Sequence, residues 1–241
     1  MKPSLSVIVP VYNEAATVDE ILARLRDGPY PDKQVIVVDD GSTDGTGQRL
    51  AAWASLPSWI IVRHDRNRGK GAAVRTGLAY AAAEVTVIQD ADLEYDPRDL
   101  PRLVEPVRRG EAAAVYGSRY LRPSSPGLLW GKHRLAVAGL NLLVAVLYGQ
   151  RLTDEATCYK VLRTDLLRSL RLEASRFELC PEMTAKLCRL GVRIREEPIS
   201  YRPRTAAEGK KIGWADAVQA VWTLLRWRFA PAEFGKSALN V

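Results

Sequence analysis

Asp90 and Asp92 stand one residue apart in QDADLEYDP, directly after the apolar run Val85 to Ile88. Two carboxylates at the end of a buried strand can reach one hard cation and the diphosphate that the cation bridges. Magnesium and manganese take oxygen ligands of this kind and keep positions open for phosphate and water. Glu94 follows closely enough to add a ligand or a water-mediated contact. An Asp-x-Asp pair alone is a common loop feature, so its meaning rests on its surroundings.

Two further strings carry chemistry. In Asp39–Asp40–Gly41–Ser42–Thr43–Asp44–Gly45–Thr46, a helix cap at Asp44 and glycines with unusual backbone angles account for part of the density. They do not account for two successive acids after the apolar run Gln34 to Val38, where a carboxylate can accept hydrogen bonds from a base or a ribose hydroxyl. Asn67–Arg68–Gly69–Lys70–Gly71 leads into a helix N-terminus, whose free N–H groups and dipole favour an anion. A cationic turn with a close glycine packing contact is the alternative reading. The string lacks the spacing and the Ser/Thr of a P-loop.

These groups need elements to hold them. Apolar runs at Ser4 to Val9, Gln34 to Val38, Trp59 to Val62, Val85 to Ile88 and Ala112 to Tyr116 read as buried strands. Between them lie helical patterns from Ala15 to Gly28, from about Asp44 to Ser55, from Gly71 to about Ala83, and after Pro97. Strands alternating with helices predict an α/β fold with a mostly parallel sheet and right-handed crossovers. Ligands of such sheets sit beyond the carboxyl ends of the strands. Tyr12–Asn13–Glu14, Asp39–Asp40, Asn67 to Gly71 and Asp90–Asp92 all follow strands, which is where a shared site belongs.

The second half differs. Arg122 to Gly131 is rich in Pro, Gly and Ser and reads as a loop; Arg134 to Tyr148 is a largely apolar helix. Asp154 to Leu162 looks strand-like, helices are expected near Asp165–Leu170 and Pro181–Leu190, and a strand at Val192 to Ile199. The polar loop Arg202 to Lys211 precedes a closing helix from Trp214 to about Phe229.

Bulk properties narrow the class. A chain of 241 residues suits one α/β domain with a single core. Its three cysteines, Cys158, Cys180 and Cys188, lack metal-ligand spacing and read as reduced thiols of a cytosolic protein. No signal peptide is expected, and no apolar stretch reaches the roughly 20 residues of a membrane span. The net charge of +7 is uneven, with acids at strand ends in the first half and Arg and Lys dominating after Arg119. Such a surface suits nucleic acid, an anionic membrane or a phosphorylated substrate. Without a recognised motif or an aromatic-lined basic groove, nucleic acid is set aside.

Taken together, SVIVPVYNE (Ser6–Glu14), VVDDGSTDGT (Val37–Thr46), NRGKGAAVRTG (Asn67–Gly77), DADLEYDP (Asp90–Pro97) and YGSRY (Tyr116–Tyr120) resemble the family 2 glycosyltransferases of the GT-A (Rossmann-like) fold. DEATCYKVLR (Asp154–Arg163) and Pro181–Tyr201 resemble the polyprenyl-phosphate branch, typified by dolichyl-phosphate mannose and glucose synthases. Cys158–Tyr159 departs from that branch's usual small residue plus Phe.

The resemblance implies one catalytic domain over 1–229, with a nucleotide-sugar half to about 118, an acceptor half over 119–229 and a tail over 230–241. It implies that Pro10, Tyr12 and Glu14 line the nucleotide pocket and that Asp40 recognises base or ribose. Asp90 would contact the ribose or the metal, and Asp92, helped by Glu94, would hold Mg²⁺ or Mn²⁺ on the diphosphate, with Lys70 on the nucleotide side. Arg119, Arg134 and one of Lys210 or Lys211 would neutralise phosphate. The expected reaction moves a hexose from a GDP-mannose or UDP-glucose type donor, with inversion, to a polyprenyl phosphate on the inner face of a membrane. An anionic lipid phosphate needs no strong base; a hydroxyl acceptor would need one, and Asp154 and Glu182 are the candidates. The apolar helix 134–148, with Lys132 and His133 before it, suits lying at a membrane surface or packing in the core, and the closing helix with Trp214, Trp222 and Trp227 could dock beside it. A non-catalytic sugar-nucleotide-binding module would not need the cations after Arg119. Oligomeric state is not legible.

Overall fold

Val7–Val9, Val35–Val38 and Val85–Ile88 are buried to the last residue, as strands covered on both faces require. The computed structural model describes residues 3–122, 132–204, 214–231 and 234–235. Seven strands form one sheet: β1 (Ser6–Val11), β2 (Gln34–Asp39), β3 (Trp59–Arg63), β4 (Val85–Ile88), β5 (Ala114–Ser118), β6 (Lys160–Arg163) and β7 (Ile194–Pro198). Their order is β3-β2-β1-β4-β6-β5-β7. All pairings are parallel except those of β6, which runs antiparallel to both β4 and β5. The expected mostly parallel α/β architecture is therefore observed.

Eight α-helices cover the sheet: α1 (Val18–Arg26), α2 (Thr46–Ala51), α3 (Lys70–Tyr80), α4 (Leu100–Arg108), α5 (Lys132–Tyr148), α6 (Thr164–Ser169), α7 (Leu179–Arg189) and α8 (Trp214–Phe229). The period-two alternation of strand side chains divides the core in two. Val7, Val9, Val35, Val37 and Val87 face α1 and α4, while Ile8, Ile36, Val38 and Ile88 face α3 and the later helices. Each such buried aliphatic side chain contributes about 1.5–3 kcal/mol relative to exposure.

Several boundaries differ from expectation. α1 begins at Val18, three residues late, because the backbone from Asn13 to Ala15 is tied to the loop after β2. α2 is shorter than expected, and its N-cap is Gly45 at φ +93°, with Asp44 one residue earlier accepting the Thr46 N–H at 3.1 Å. β1 runs through Pro10. Ile8 O accepts from Gln89 on the β4 side and Val11 O accepts from Asp40 on the β2 side. Pro10 shares the side of Ile8, where β1–β4 pairing has already ended at Ile88, so its missing donor costs no ladder bond. The extended stretch expected from Asp154 is a strand only over Lys160–Arg163; residues 154–158 turn, because Asp154 pairs with Arg119 and the Glu155 N–H donates to Asn141.

α5 is apolar all round but not buried all round. Val137, Leu140 and Val144 pack inward, while Leu135, Leu142 and Val146 are 74 %, 65 % and 72 % exposed. α5 packs against α8, where Trp222 and Phe229 are 60 % and 78 % exposed. Beyond α8, Phe234 is buried edge-on to Trp227. Lys210, Lys211, 123–131 and the side chains of Lys132, His133 and Trp214 lie outside the described residues.

The glycines before and at the start of α3 make the close packing contact of the second reading. A Cβ at Gly71 would overlap the Ala174 carbonyl, and one at Gly69 would overlap the Ser175 carbonyl. The Ala72 N–H donates to Ser175 O at 3.1 Å, so this contact seats the segment that leads to α7. Gly71→Ala is expected to lower stability by about 1–3 kcal/mol, the cost of overpacking against backbone, measured by urea denaturation.

Candidate active site

The loops after β1 and β2 are stitched together by backbone donors meeting side-chain acceptors. Asn13 N–H donates to Ser42 Oγ (2.9 Å), Thr43 N–H to Asn13 Oδ1 (2.9 Å), Glu14 N–H to Thr46 Oγ1 (3.0 Å) and Ala15 N–H to Asp44 Oδ2 (3.0 Å). Asn13 adopts φ +52° to make the turn. Both acids at the end of β2 hold backbone. Asp39 accepts the Ser42 N–H (2.9 Å), and Asp40 accepts those of Arg68 (2.9 Å) and Gly69 (2.7 Å). His64 Nδ1 lies 2.6 Å from Asp40 Oδ1, and its Nε2 lies 3.0 Å from Thr76 Oγ1. Asp40 thus fixes the loop that leads into α3 with most of its acceptor capacity. The two successive acids have a structural explanation that the string alone did not supply.

The acids after β4 meet cations from elsewhere in the chain. Lys70 Nζ pairs with Asp90 Oδ1 at 2.5 Å. Burial opposes the charge on Lys70, yet Asp90 and the neighbouring thiols Cys158 and Cys180 keep its pKa above the ordinary lysine value. The anion-binding reading of this residue is therefore met by a carboxylate of the protein itself. Arg204 bridges two acids, with Nη2 at 2.9 Å from Asp92 Oδ2 and Nη1 at 3.1 Å from Glu14 Oε2. Its backbone N–H donates to Glu94 Oε1 at 2.9 Å, and Tyr201 Oη donates to Glu94 Oε2 at 3.3 Å. Burial, then the charges of Asp90 and Glu94, push the Asp92 carboxyl up to about 7 against the pull of Arg204.

A third charged centre follows β5. Arg119, 4 % exposed, forms a two-pronged pair with Asp154, Nε to Oδ2 and Nη2 to Oδ1, both at 2.7 Å. The Tyr120 ring lies between two guanidinium groups, 5.6 Å from that of Arg119 and 4.3 Å from that of Arg134. Arg134 Nη1 is buried without a hydrogen-bond partner among the described residues. Glu182, considered as a base for a hydroxyl acceptor, is buried in α7. It accepts the N–H groups of Glu173 and Ala174 and pairs with Lys186 Nζ at 2.6 Å, a structural role.

One cavity of about 770 Å³ joins these centres. Pro10, Tyr12, Glu14, Asp40, Lys70, Asp90, Asp92, Glu94 and Arg119 all line it, whereas Arg134 stands behind Tyr120. Its lining also takes in Ala136, Val137 and Leu140 of α5 and Asp216, Ala217 and Ala220 of α8. Arg204 and Glu155 also line it, and sequence reasoning had not placed either. Arg204 appeared only as one of many basic residues, and Glu155 beside Asp154 carried no separate signal.

The donor set fits a hard divalent cation. Carboxylates crowd the rim, and a guanidinium already sits between two of them as a positive stand-in. Among the described residues no three carboxylate, imidazole or thiol groups converge on one point. The protein would thus supply one or two carboxylate ligands, leaving positions for phosphate and water as Mg²⁺ and Mn²⁺ prefer. Arg204 must yield for a cation to reach Asp92. Arg204→Gln is expected to tighten Mn²⁺ binding without nucleotide by roughly tenfold, matching the about 1.5 kcal/mol of a hydrogen bond to a charged group. Electron paramagnetic resonance titration of free Mn²⁺ at pH 8 measures it, and equal affinities would show that Arg204 does not compete.

Known proteins resemble this chain in sequence and in fold. The model of the family described as glycosyl transferase family 2 matches residues 6–171. An undecaprenyl-phosphate mannosyltransferase of Micrococcus luteus is 34 % identical over 235 residues, covering 92 % of this chain and 93 % of that one. A dolichol-phosphate mannosyltransferase of Pyrococcus furiosus is 25 % identical, covering 92 % of this chain and 64 % of its own length. Among solved structures, glucosyl-3-phosphoglycerate synthase from Mycobacterium tuberculosis, in complex with Mn²⁺, UDP and phosphoglyceric acid, superposes with a TM-score of 0.72 at 25 % identity. That match covers 96 % of this chain and 80 % of that one. With the matched residues spanning β1 to α6 and every strand-end loop of the cavity's acidic rim, the chain belongs to glycosyl transferase family 2.

Proposed function

We propose that this chain is an inverting hexosyltransferase that moves a hexose from a GDP-mannose or UDP-glucose type donor to a polyprenyl phosphate, working as a peripheral protein on the cytoplasmic face of a membrane. The carrying observation is one cavity lined both by acids with their cations and by apolar side chains of α5 and α8. An isoprenoid phosphate combines the same two chemistries. The names of the Micrococcus and Pyrococcus relatives support the lipid acceptor.

In this reading Pro10, Tyr12 and Glu14 border the nucleotide, and Asp40 acts through the 64–69 loop it holds and the wall it forms. Asp90 and Asp92, with Glu94 beside them, hold the divalent cation, whose charge stabilises the departing diphosphate. Lys70, on the nucleotide side, also holds Asp90 in place. Arg119, which lines the cavity, and Arg134, which shares the Tyr120 ring with it, receive the acceptor phosphate. The resemblance assigns Lys210 or Lys211 to phosphate as well. A phosphate oxygen attacks the anomeric carbon as the bond to the β-phosphate oxygen breaks, and the nucleoside diphosphate leaves with that electron pair. The acceptor is already anionic, so the step needs positioning and charge compensation rather than a base. A hydroxyl acceptor fits less well, since Asp154 is committed to Arg119 and Glu182 to backbone and Lys186.

Among the described residues no helix is long and apolar enough to cross a membrane. The exposed apolar residues of α5 and α8 instead suit contact with its surface.

Two experiments test the reading. Asp92→Ala is expected to lower transfer at least 100-fold, the scale of losing one transition-state electrostatic contact. Metal-dependent binding of nucleoside diphosphate should go with it while the melting temperature holds. In the wild type, label from a radiolabelled donor should enter a butanol-extractable polyprenyl phosphate; label only on soluble products would move the acceptor to the hydroxyl class. Replacing both Leu142 and Trp222 with Glu is expected to cut co-sedimentation with phosphatidylglycerol vesicles by roughly tenfold or more, because two apolar contacts become charged at the interface. Unchanged co-sedimentation would remove the α5–α8 face from membrane contact.

A further inference from the structure

Glu155 is fully buried, yet it lines the cavity and its Oε2 has no hydrogen-bond partner among the described residues. Its other oxygen is only partly served. Thr184 Oγ1 lies 3.2 Å from Oε1, but the one proton of that hydroxyl is also within reach of Cys180 O at 3.1 Å. Every other polar group of the residue is tied down. The Glu155 N–H donates to Asn141 Oδ1 (2.9 Å), and Glu155 O accepts from Lys160 Nζ (2.9 Å). The backbone is fixed from two sides while one carboxyl oxygen is left without a donor. A buried carboxyl oxygen without a donor is costly. An incoming hydrogen-bond donor removes that cost.

Topology says which part of a substrate would bring it. In the sheet order β2-β1-β4-β6, Asp40 follows β2, Asp90 and Asp92 follow β4, and Glu155 precedes β6. Because β6 is antiparallel to β4, its leading end lies at the same edge as the trailing end of β4, and Tyr159 Oη beside it donates to Gln89 Oε1. Among the lining residues, Cys158 and Cys180 neighbour Lys70 and Asp90, and Cys180 in turn neighbours Glu155. The group that follows a diphosphate in a sugar nucleotide is the sugar. The apolar walls for an acceptor lie on α5 and α8, where a buried acid would repel a phosphate.

We propose that Glu155 is a specificity-determining residue whose carboxyl group accepts a hydrogen bond from a ring hydroxyl of the transferred sugar and excludes donors carrying a carboxylate at that position. This rests on the glycosyltransfer reading above. Burial pushes the Glu155 carboxyl up to about 7, against the charge of Lys160.

The test measures binding and turnover with GDP-mannose, UDP-glucose and the monodeoxy and monofluoro analogues of whichever donor the wild type uses. Glu155→Ala should raise the donor KM at least tenfold, and Glu155→Gln, which keeps the shape and one acceptor oxygen, should raise it less. Affinity for the bare nucleoside diphosphate with Mg²⁺, read by calorimetry, should change less than twofold in both. For one analogue, lacking the hydroxyl that Glu155 reads, variant and wild type should perform alike. An equal loss across all analogues, or an equal loss for the bare nucleoside diphosphate, assigns Glu155 to the scaffold and overturns the proposal. Should Glu155→Ala fail to fold, the same comparison with Glu155→Gln decides. A wild type that binds nucleoside diphosphate but neither turns over nor binds any sugar nucleotide more tightly removes the donor reading itself, an outcome distinct from loss of the Glu155 role alone.

Discussion

Like charges confined to one end of a sheet repel, and the rest of this molecule is arranged around that repulsion. Glu14, Asp90, Asp92 and Glu94 share the rim of one cavity. Removed from bulk water, such groups either protonate or gather cations. This chain gathers cations from segments far apart in sequence. Lys70 comes from the start of α3, and Arg204 arrives 110 residues after Glu94. The guanidinium of Arg204 holds the rim together by compensating the charge of Glu14 and Asp92 at once.

The order of strands converts a line of loops into an order of chemical tasks. Loops after β2, β1 and β4 stand side by side, as a parallel sheet demands, and together carry Asp40, Glu14, Asp90, Asp92 and Glu94 to the cavity. The reversal of β6 adds a segment that no further parallel strand would bring. Its turn at 154–158 reaches the same edge and contributes Asp154 to Arg119 and Glu155 to the cavity. β5, next in order, delivers Arg119 at its end. Close packing of Gly69 and Gly71 against 174–175 then locks the α7 side of the pocket to the first half of the chain.

The positive half of the sequence is more selective than its charge suggests. Arg119 is neutralised by Asp154, Lys186 by Glu182, and Lys160 lies buried over the Tyr116 ring. All three have their positions set by these contacts. Arg134, held on Tyr120 and with a buried Nη1 lacking a partner among the described residues, is of another kind. It stands where the apolar helices begin, between the polar cavity and the exposed aliphatic face of α5.

The sequence by itself determined the sheet-forming runs, the alternation of strand and helix and the placement of acids at strand ends. Those signals are local: β-branched runs, helical spacing and a turn residue are readable within a dozen positions. It also showed the family, because several strand-end strings occur together and in order. Only the tertiary structure decided what each side chain does. Asp40 looked like a ligand-facing acid and is also the anchor of a loop, since its partners lie 24 to 29 residues away. Lys70 looked available for phosphate and is paired with Asp90. Asp154 and Glu155 were adjacent acids in a presumed strand, yet one is saturated by an arginine and the other keeps an oxygen without a partner among the described residues. Whether a polar group is satisfied depends on what the fold brings within 3 Å of it, and that is set by long-range contacts which neighbouring residues do not record.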